Sequence, residues 1–416
     1  MSSKSINDST SEIDTDSDSC SESSDQACEM TNNLNLYGKI LDNYNIIYEI
    51  GRGGYSIVWL AYHIGTSKYY ALKVQDPNEF DDGLDEVKFV STLPTDPDCF
   101  NNLVEYFIKT VDKCKYLCSV WNLHATNLDT LLRKGNYVDG IPIDITNKII
   151  KQVITALDIL HNKYKVFHGD VKPDNIFVKG VNDRDKLIID QYNKANFIVK
   201  YRQAKINYWL HKGRTIKSID KMDTKTKLSI REVVHKDIVD SIKFEDTGDN
   251  DFILTLDNCK VSLGDFGTYC TEDNYYEESF GTRYYQAPEI ILGGKCSYPV
   301  DIWALGCTYY ELLTGTILFD PIKDSQNTRD YYHLCLINDT CGSFCPSFLK
   351  STKNYKQFFT KNNKLIKYKG PEINRLDRKL SESTLSCKET IASFISNVIS
   401  ISPLTRPTIS KIREMF

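Results

Sequence analysis

The chain has 416 residues, 41% of them hydrophobic and 26% charged, a soluble-type composition on a chain too long for one small core, so two lobes are expected. No apolar run approaches the roughly 18 residues that predict a membrane span, and the opening "MSSKSINDSTSEIDTDSDSC" is polar and acidic, the opposite of a secretory signal. The net charge of −5 conceals an asymmetry, because residues 1–30 hold eight acids and one lysine.

That acidic, Ser-rich opening lacks aromatic residues and cannot bury enough surface to order itself. Residues 1–43 are therefore expected to be a disordered tail and lead-in. From Tyr44, "YNIIYEIGRGGYSIVWLAYHIGTSKYYALKV" reads as apolar and polar residues alternating between glycines, which predicts three antiparallel strands. "GLDEVKFVSTL" follows as a short helix, and "LVEYFI" and "YLCSVW" as a strand pair. From Asp144 to Lys163 the apolar positions Ile149, Val153, Ala156, Leu157 and Leu160 recur at helical spacing. "PVDIWALGCTYYELLTG" and "TIASFISNVISI" also read as helices. The expected class is α+β: a small β-rich lobe over 44–123, then a larger helical lobe over 124–416.

One segment interrupts the second lobe. Residues 179–258 are rich in Lys, Asn and Ile, and positions 194–231 carry eleven basic residues against Asp220 and Asp223. A solvated loop or helix pair fits this composition, and so does a docking or localisation surface. The flanking "DNIFV" and "CKVSLGDFG" should pair as neighbouring strands, so a short turn is expected to be able to replace the insert at about 1–2 kcal/mol.

Thirteen cysteines without a CxxC pair suit a reducing compartment, cytoplasmic or nuclear. His333, Cys335, Cys341 and Cys345 lie close together in sequence. Their spacings match no common zinc module, and helix packing accounts for them.

The chemistry concentrates in three places. "GRGGYSIV" lies between two strands, where Gly51, Gly53 and Gly54 let backbone amides approach phosphates without side chains in the way, although many such turns are plain hairpins. Lys73 in "YALKV" can reach phosphate oxygens, and Glu86 on the next helix can hold it extended. In "VFHGDVKPDNIFV" (166–178), Asp170 can accept a hydroxyl proton and Lys172 can stabilise charge on a transferring phosphoryl group. Asn175 offers magnesium a neutral oxygen, and Asp265 in "GDFG" offers a charged one.

With these motifs in this order, the chain resembles the eukaryotic protein kinase family over about residues 44–416. "RYYQAPE" (Ala287, Pro288, Glu289), "DIWALG" (Asp301, Trp303, Gly306) and "SPLTRP" belong to the same likeness, which implies that Arg406 pairs with Glu289. Lys172 and Thr282 resemble serine/threonine kinases. The resemblance implies the bilobal kinase fold, with ATP and magnesium as cofactors. It also implies a nucleotide site formed by Gly51, Arg52, Gly53, Gly54, Tyr55, Ser56, Val58, Ala71, Lys73 and Glu86. Ser56 stands where the family's third loop glycine is expected.

"GGYSIVWLAYH", "GLDEVKFV", "TRDYYHLCLI", "KQFFTKNNKLIKY" and the long spacer resemble the SR-protein kinases more narrowly. That likeness puts Trp121 at a gatekeeper position, where plain core packing serves equally well. It sets the backbones of Asn122 and His124 against adenine. It implies protein substrates with Ser or Thr, Arg/Ser-rich ones among them, while the charge of the basic insert leaves room for a bound partner. Neither a membrane nor a nucleic acid is expected.

Gly169 replaces a phosphate-sensing arginine of the wider family, and Gln286 replaces another arginine. The SR-kinase docking groove is acidic, whereas residues 350–379 here carry ten basic residues against Glu372 and Asp377. Acids return near the transfer site at Asp174, Glu272, Asp273, Glu277 and Glu278. The competing reading is a pseudokinase scaffold that binds partners through tail and insert. A small-molecule kinase on the same fold is disfavoured by the intact "APE" segment.

Overall fold

The computed structural model describes residues 34–416, apart from 112–113, 245–253, 274–278, 323–327, 369, 371–375, 377, 379 and 381–386. The acidic stretch 1–33, with Glu277, Glu278, Glu372 and Asp377, lies outside the described residues.

Strands β1 (Ile40–Leu41), β2 (Tyr44–Arg52), β3 (Ser56–His63), β4 (Lys68–Gln75), β5 (Leu103–Val111) and β6 (Cys114–Trp121) form a sheet in the order β1-β2-β3-β4-β6-β5. Helix α1 (Phe80–Val90) connects β4 to β5 and packs on β6. The small lobe already includes residues before Tyr44: β1 pairs with β2, and Leu36 and Leu41 enter its core beside Trp59 and Leu72.

Past the connection at Asn122–Leu123, strands β7 (His124–Asn127), β8 (Ile176–Lys179) and β9 (Val261–Leu263) form a second small sheet. The expected pairing of the strands that flank the insert is present, with Ile176 opposite Leu263. Helices α2 (Leu128–Arg133) and α3 (Ile143–Asp158) follow β7. All five apolar positions expected on α3 and its extension are buried, and Lys165 at φ +58° ends the wider turns over Ile159–Tyr164. Among the described residues, no helix is long and apolar enough to cross a membrane.

The insert departs from expectation. It forms helices α4 (Asp183–Ala195), α5 (Phe197–His211) and α6 (Thr224–Ser241), capped by Asn182, Asn196 and Asp223. Although it belongs to the second lobe in sequence, it packs on β2 and β3 of the first. Ile47, Tyr48, Leu60 and Tyr62 share a buried cluster with Ile188, Tyr192, Phe197, Val234 and Ile238. Trp59 and Ala61 face the opposite cluster.

Both faces of β3 are thus covered, which explains why Ile57–Tyr62 is a continuous apolar run rather than an alternation. A buried polar network closes the seam. Arg231 Nε donates to Asn45 Oδ1 at 2.8 Å, and Asn45 Nδ2 donates to the Tyr192 hydroxyl at 2.9 Å. The His235 ring bridges Tyr192 to the Ile46 carbonyl.

The insert is therefore structural, and a short turn cannot replace it without uncovering Ile47 and Leu60. Ile238→Ala should lower stability by about 2–4 kcal/mol, from lost burial plus the cavity left behind. Deleting residues 182–256 should give protein that does not fold. Chemical denaturation checks the first, and solubility with circular dichroism the second.

Candidate functional site

The Gly-rich turn joins β2 to β3, with the Gly53 amide donating to the Ser56 carbonyl at 2.9 Å. A Cβ at Gly54 would meet nothing within 4 Å, so the turn's tip borders open space. Tyr55 is exposed, and the Arg52 guanidinium is engaged by Glu49 at 2.6 Å. Register sets Val58 opposite Lys73 and Leu60 opposite Ala71, placing Val58, Ala71 and Lys73 on one face of the sheet. The insert packs on that same face through Leu60.

Lys73 Nζ meets Glu86 Oε2 at 3.1 Å, and Glu86 Oε1 accepts from the Phe266 amide at 3.2 Å. Burial alone would lower the Lys73 pKa. The Glu86 and Asp265 carboxylates outweigh it and hold the pKa raised, so Lys73 remains an ammonium. Phe266 is buried against Phe89, Phe100 and His168, and Asp265 before it takes a left-handed φ of +63°.

Helix α7 (Pro299–Thr314) positions the loop at 168–175. The fully buried Asp301 accepts from the His168 amide at 2.7 Å, the Gly169 amide at 2.9 Å and the His161 ring at 2.8 Å. Gly169 has φ +82°, and a Cβ there would lie 2.6 Å from the Thr268 carbonyl. No side chain, arginine included, fits without moving that strand of the loop. The His168 ring accepts from the Asp170 amide at Nδ1 (3.2 Å) and donates to the Gly264 carbonyl from Nε2 (3.1 Å). This link between 170 and 264 was not evident from sequence; a histidine two residues before the acid was its only signal.

Asp170 is gripped on both oxygens. The Thr282 amide donates to Oδ1 at 2.7 Å and Lys172 Nζ to Oδ2 at 2.6 Å, while Lys172 also reaches Thr282 Oγ1 at 2.5 Å. Burial pushes the Asp170 pKa up, but the Lys172 charge and the hydrogen bonds from Lys172 and Thr282 outweigh it and hold it below the usual value. Asn175 Nδ2 donates to the Asp170 carbonyl at 2.8 Å, so its Oδ1 is the end available as an acceptor. Asn175 Oδ1 and the Asp265 carboxylate are two oxygen donors. Such a set fits a hard cation that takes its remaining ligands from water and phosphate. Among the described residues, no group of three or more His, Cys, Asp or Glu could hold a metal alone, and His333 is buried against Phe319.

The remaining sequence assignments divide. Trp121 is buried in the main core and donates to Ser119 Oγ at 2.8 Å. Asn122 is exposed, while the backbone of His124 pairs with Lys179 in β7–β8 and its ring meets Ser262 Oγ. Gln286 is buried, and its amide donates to Ser279 Oγ at 2.8 Å and the Phe280 carbonyl at 3.0 Å, tying down the loop where an arginine is missing. Arg406 clasps both oxygens of Glu289, at 2.5 and 2.8 Å. Asp174 is half-buried; burial and then the Asp129 charge raise its pKa.

The family model described as "Protein kinase domain" matches residues 44–201 and 222–415. A protein of Acanthamoeba polyphaga mimivirus named as a serine/threonine-protein kinase is 28% identical, over 87% of this chain and 84% of its own length. The serine/threonine-protein kinase SRPK of Physarum polycephalum is 28% identical, over 88% and 83% respectively. Human SRSF protein kinase 3 is 22% identical, over 77% and 76%.

The Arg406–Glu289 pair gives a direct test of the second lobe. Glu289→Ala leaves a buried guanidinium without its partner and should cost about 3–5 kcal/mol. Thermal unfolding of the purified variant measures it.

Proposed function

This chain belongs to the protein kinase domain family and is a serine/threonine protein kinase, and from that premise we propose a mechanism and a substrate class. The observation that carries the mechanism is the Asp170–Lys172–Thr282 triangle. Asp170, kept ionised, accepts the proton of the substrate serine or threonine hydroxyl. Lys172 stabilises negative charge that develops on the transferring group, and Thr282 fixes both side chains. Lys73, held by Glu86, aligns the phosphates of ATP beneath the Gly51–Ser56 turn. Asn175 and Asp265 would hold magnesium, which neutralises phosphate oxygens when bound.

The substrates proposed are serines flanked by arginine or lysine, as the likeness to kinases named for SR proteins suggests. Supporting this are the acids near the transfer site. Asp174 lies beside Asp129 and feels Asp170, and Glu272 and Asp273, on the later loop beside Tyr298, add negative charge. Charges within a Debye length of about 8 Å favour a basic peptide.

Asp170→Ala should lower kcat by 1,000-fold or more while ATP affinity stays within a few-fold, as measured by radiolabel transfer and nucleotide titration. Lys172→Ala removes the charge that opposes burial, so the Asp170 pKa should rise and the acid limb of the kcat–pH profile should move to higher pH.

Peptides with Arg/Ser repeats should be phosphorylated at least tenfold more efficiently than acidic Ser-Asp-Glu peptides, and the gap should narrow at high salt or in Asp174→Ala. A positional peptide library reads both. Faster turnover of acidic peptides would overturn the substrate class and leave the kinase assignment standing.

A further inference from the structure

The insert carries a groove that neither phosphoryl transfer nor the packing of the lobes uses. It measures about 530 Å³ and lies between α5, the turn over Ile216–Lys221 and the end of β3. Ile64, Ile198, Ile206, Ile216 and Ile219 give it an aliphatic floor, and Ile198 and Ile216 are 42% and 53% exposed. Arg202 and Lys205 stand on its rim. Lys200, Lys212, Lys217 and Lys221 extend the positive field around it, part of a net +9 over residues 194–231. The family match skips residues 202–221, so most of one wall is an elaboration of this chain on the kinase fold.

We propose that this groove is the docking site of the chain's own acidic N-terminal segment, residues 1–33. Charge is the first argument. The segment holds eight acids and one lysine, net −7, against the +9 of 194–231. Its apolar content is the second, because Ile13 stands between Glu12 and Asp14, an aliphatic side chain flanked by acids facing an aliphatic floor rimmed by bases.

Where the described chain begins is the third. Tyr37 donates to the Val239 carbonyl on α6 at 3.1 Å, and Lys236 of α6 lies 4.5 Å above its ring. The Ile64 amide, at the groove, donates to the Asn43 carbonyl at 3.0 Å. The segment therefore joins the described chain beside α6 of the insert, and Asn43, a few residues on, touches the groove through Ile64. Thirty-three residues can extend to roughly 110 Å, ample for the distance. Attachment in the same chain supplies an effective concentration of order millimolar, so weak contacts suffice.

Asp220 is the one acid among the groove's lining residues, and Lys227 Nζ donates to its carbonyl at 3.3 Å. The rival surface is the basic stretch at 350–379, whose ten basic residues oppose two acids. It lies farther along the chain from the segment's point of entry, and it serves as the internal comparison.

The test uses the full chain, mixed in equal parts with its 15N-labelled form and treated with a carbodiimide that joins carboxylates to lysine amines at zero length. Peptide mapping should show Glu12, Asp14, Asp16 or Asp18 joined to Lys200 or Lys205 within one isotopic form. Yields should fall at least fivefold in 1 M salt, where the Debye length is about 3 Å. They should fall as far in Arg202→Glu/Lys217→Glu, which alters only exposed side chains, and in Ile13→Asn. An unchanged melting temperature and peptide turnover would show that these variants are folded. Mixed-isotope products would assign the groove to a second copy and overturn the proposal. Equal or greater joining to lysines of 350–367, no joining to Lys200 or Lys205, or yields indifferent to the substitutions would also overturn it.

Discussion

The carboxylate of Asp301 is the constraint on which the rest of the site depends. It is fully buried on α7, and both of its oxygens accept from backbone amides of the loop that carries Asp170. A buried carboxylate without donors would be costly, so helix and loop are locked together by mutual need. Once Gly169 is held there at φ +82°, the Thr268 carbonyl packs against it on one side and Gly281 on the other. Asp170 then meets the Thr282 amide, and the His168 ring reaches back to Gly264 beside Asp265. Asp170 and Asp265 are thus referenced to one anchor.

The candidate site residues could be grouped from the sequence because their grouping is local. Asp170, Lys172 and Asn175 occur at steps set by one loop, and Lys73 follows a Gly-rich turn on a strand, so spacing alone brings them into contact with one another or with Glu86. The two departures at Gly169 and Gln286 were equally visible, but their causes were not. The Thr268 carbonyl that excludes a side chain at 169 is about a hundred residues away in sequence. Gln286 makes sense only once its amide is seen to bond Ser279 and Phe280.

The insert was misread for a related reason. Its composition is that of a solvated surface, and its contacts are long-range: Arg231 and Asn45 are separated by 186 positions. A signal was nonetheless present in β3. Ile57–Tyr62 has no polar residue to turn toward water, which implies a second covering layer. The packing ahead of Tyr44 was missed because β1 is two residues long and its partners lie in β2.

The position of the insert bears on how the two lobes relate. Asn182, at the head of α4, donates to the Ala125 carbonyl at 3.0 Å, just beyond the connection between lobes. Three residues later Asp185 bonds the Tyr48 hydroxyl on β2, the strand that leads into the Gly-rich turn. The insert therefore ties β2 to the second lobe independently of the chain connection.

This bracing also weighs against the scaffold reading. Lys73, Glu86, Asp170 and Lys172 are ionisable groups drawn into a partly or wholly dry site, where apolar side chains of similar volume would serve stability as well or better. A binding scaffold gains nothing from holding Lys73 charged against burial or Asp170 below its usual pKa. Phosphoryl transfer needs both charges, held in place before the substrate arrives.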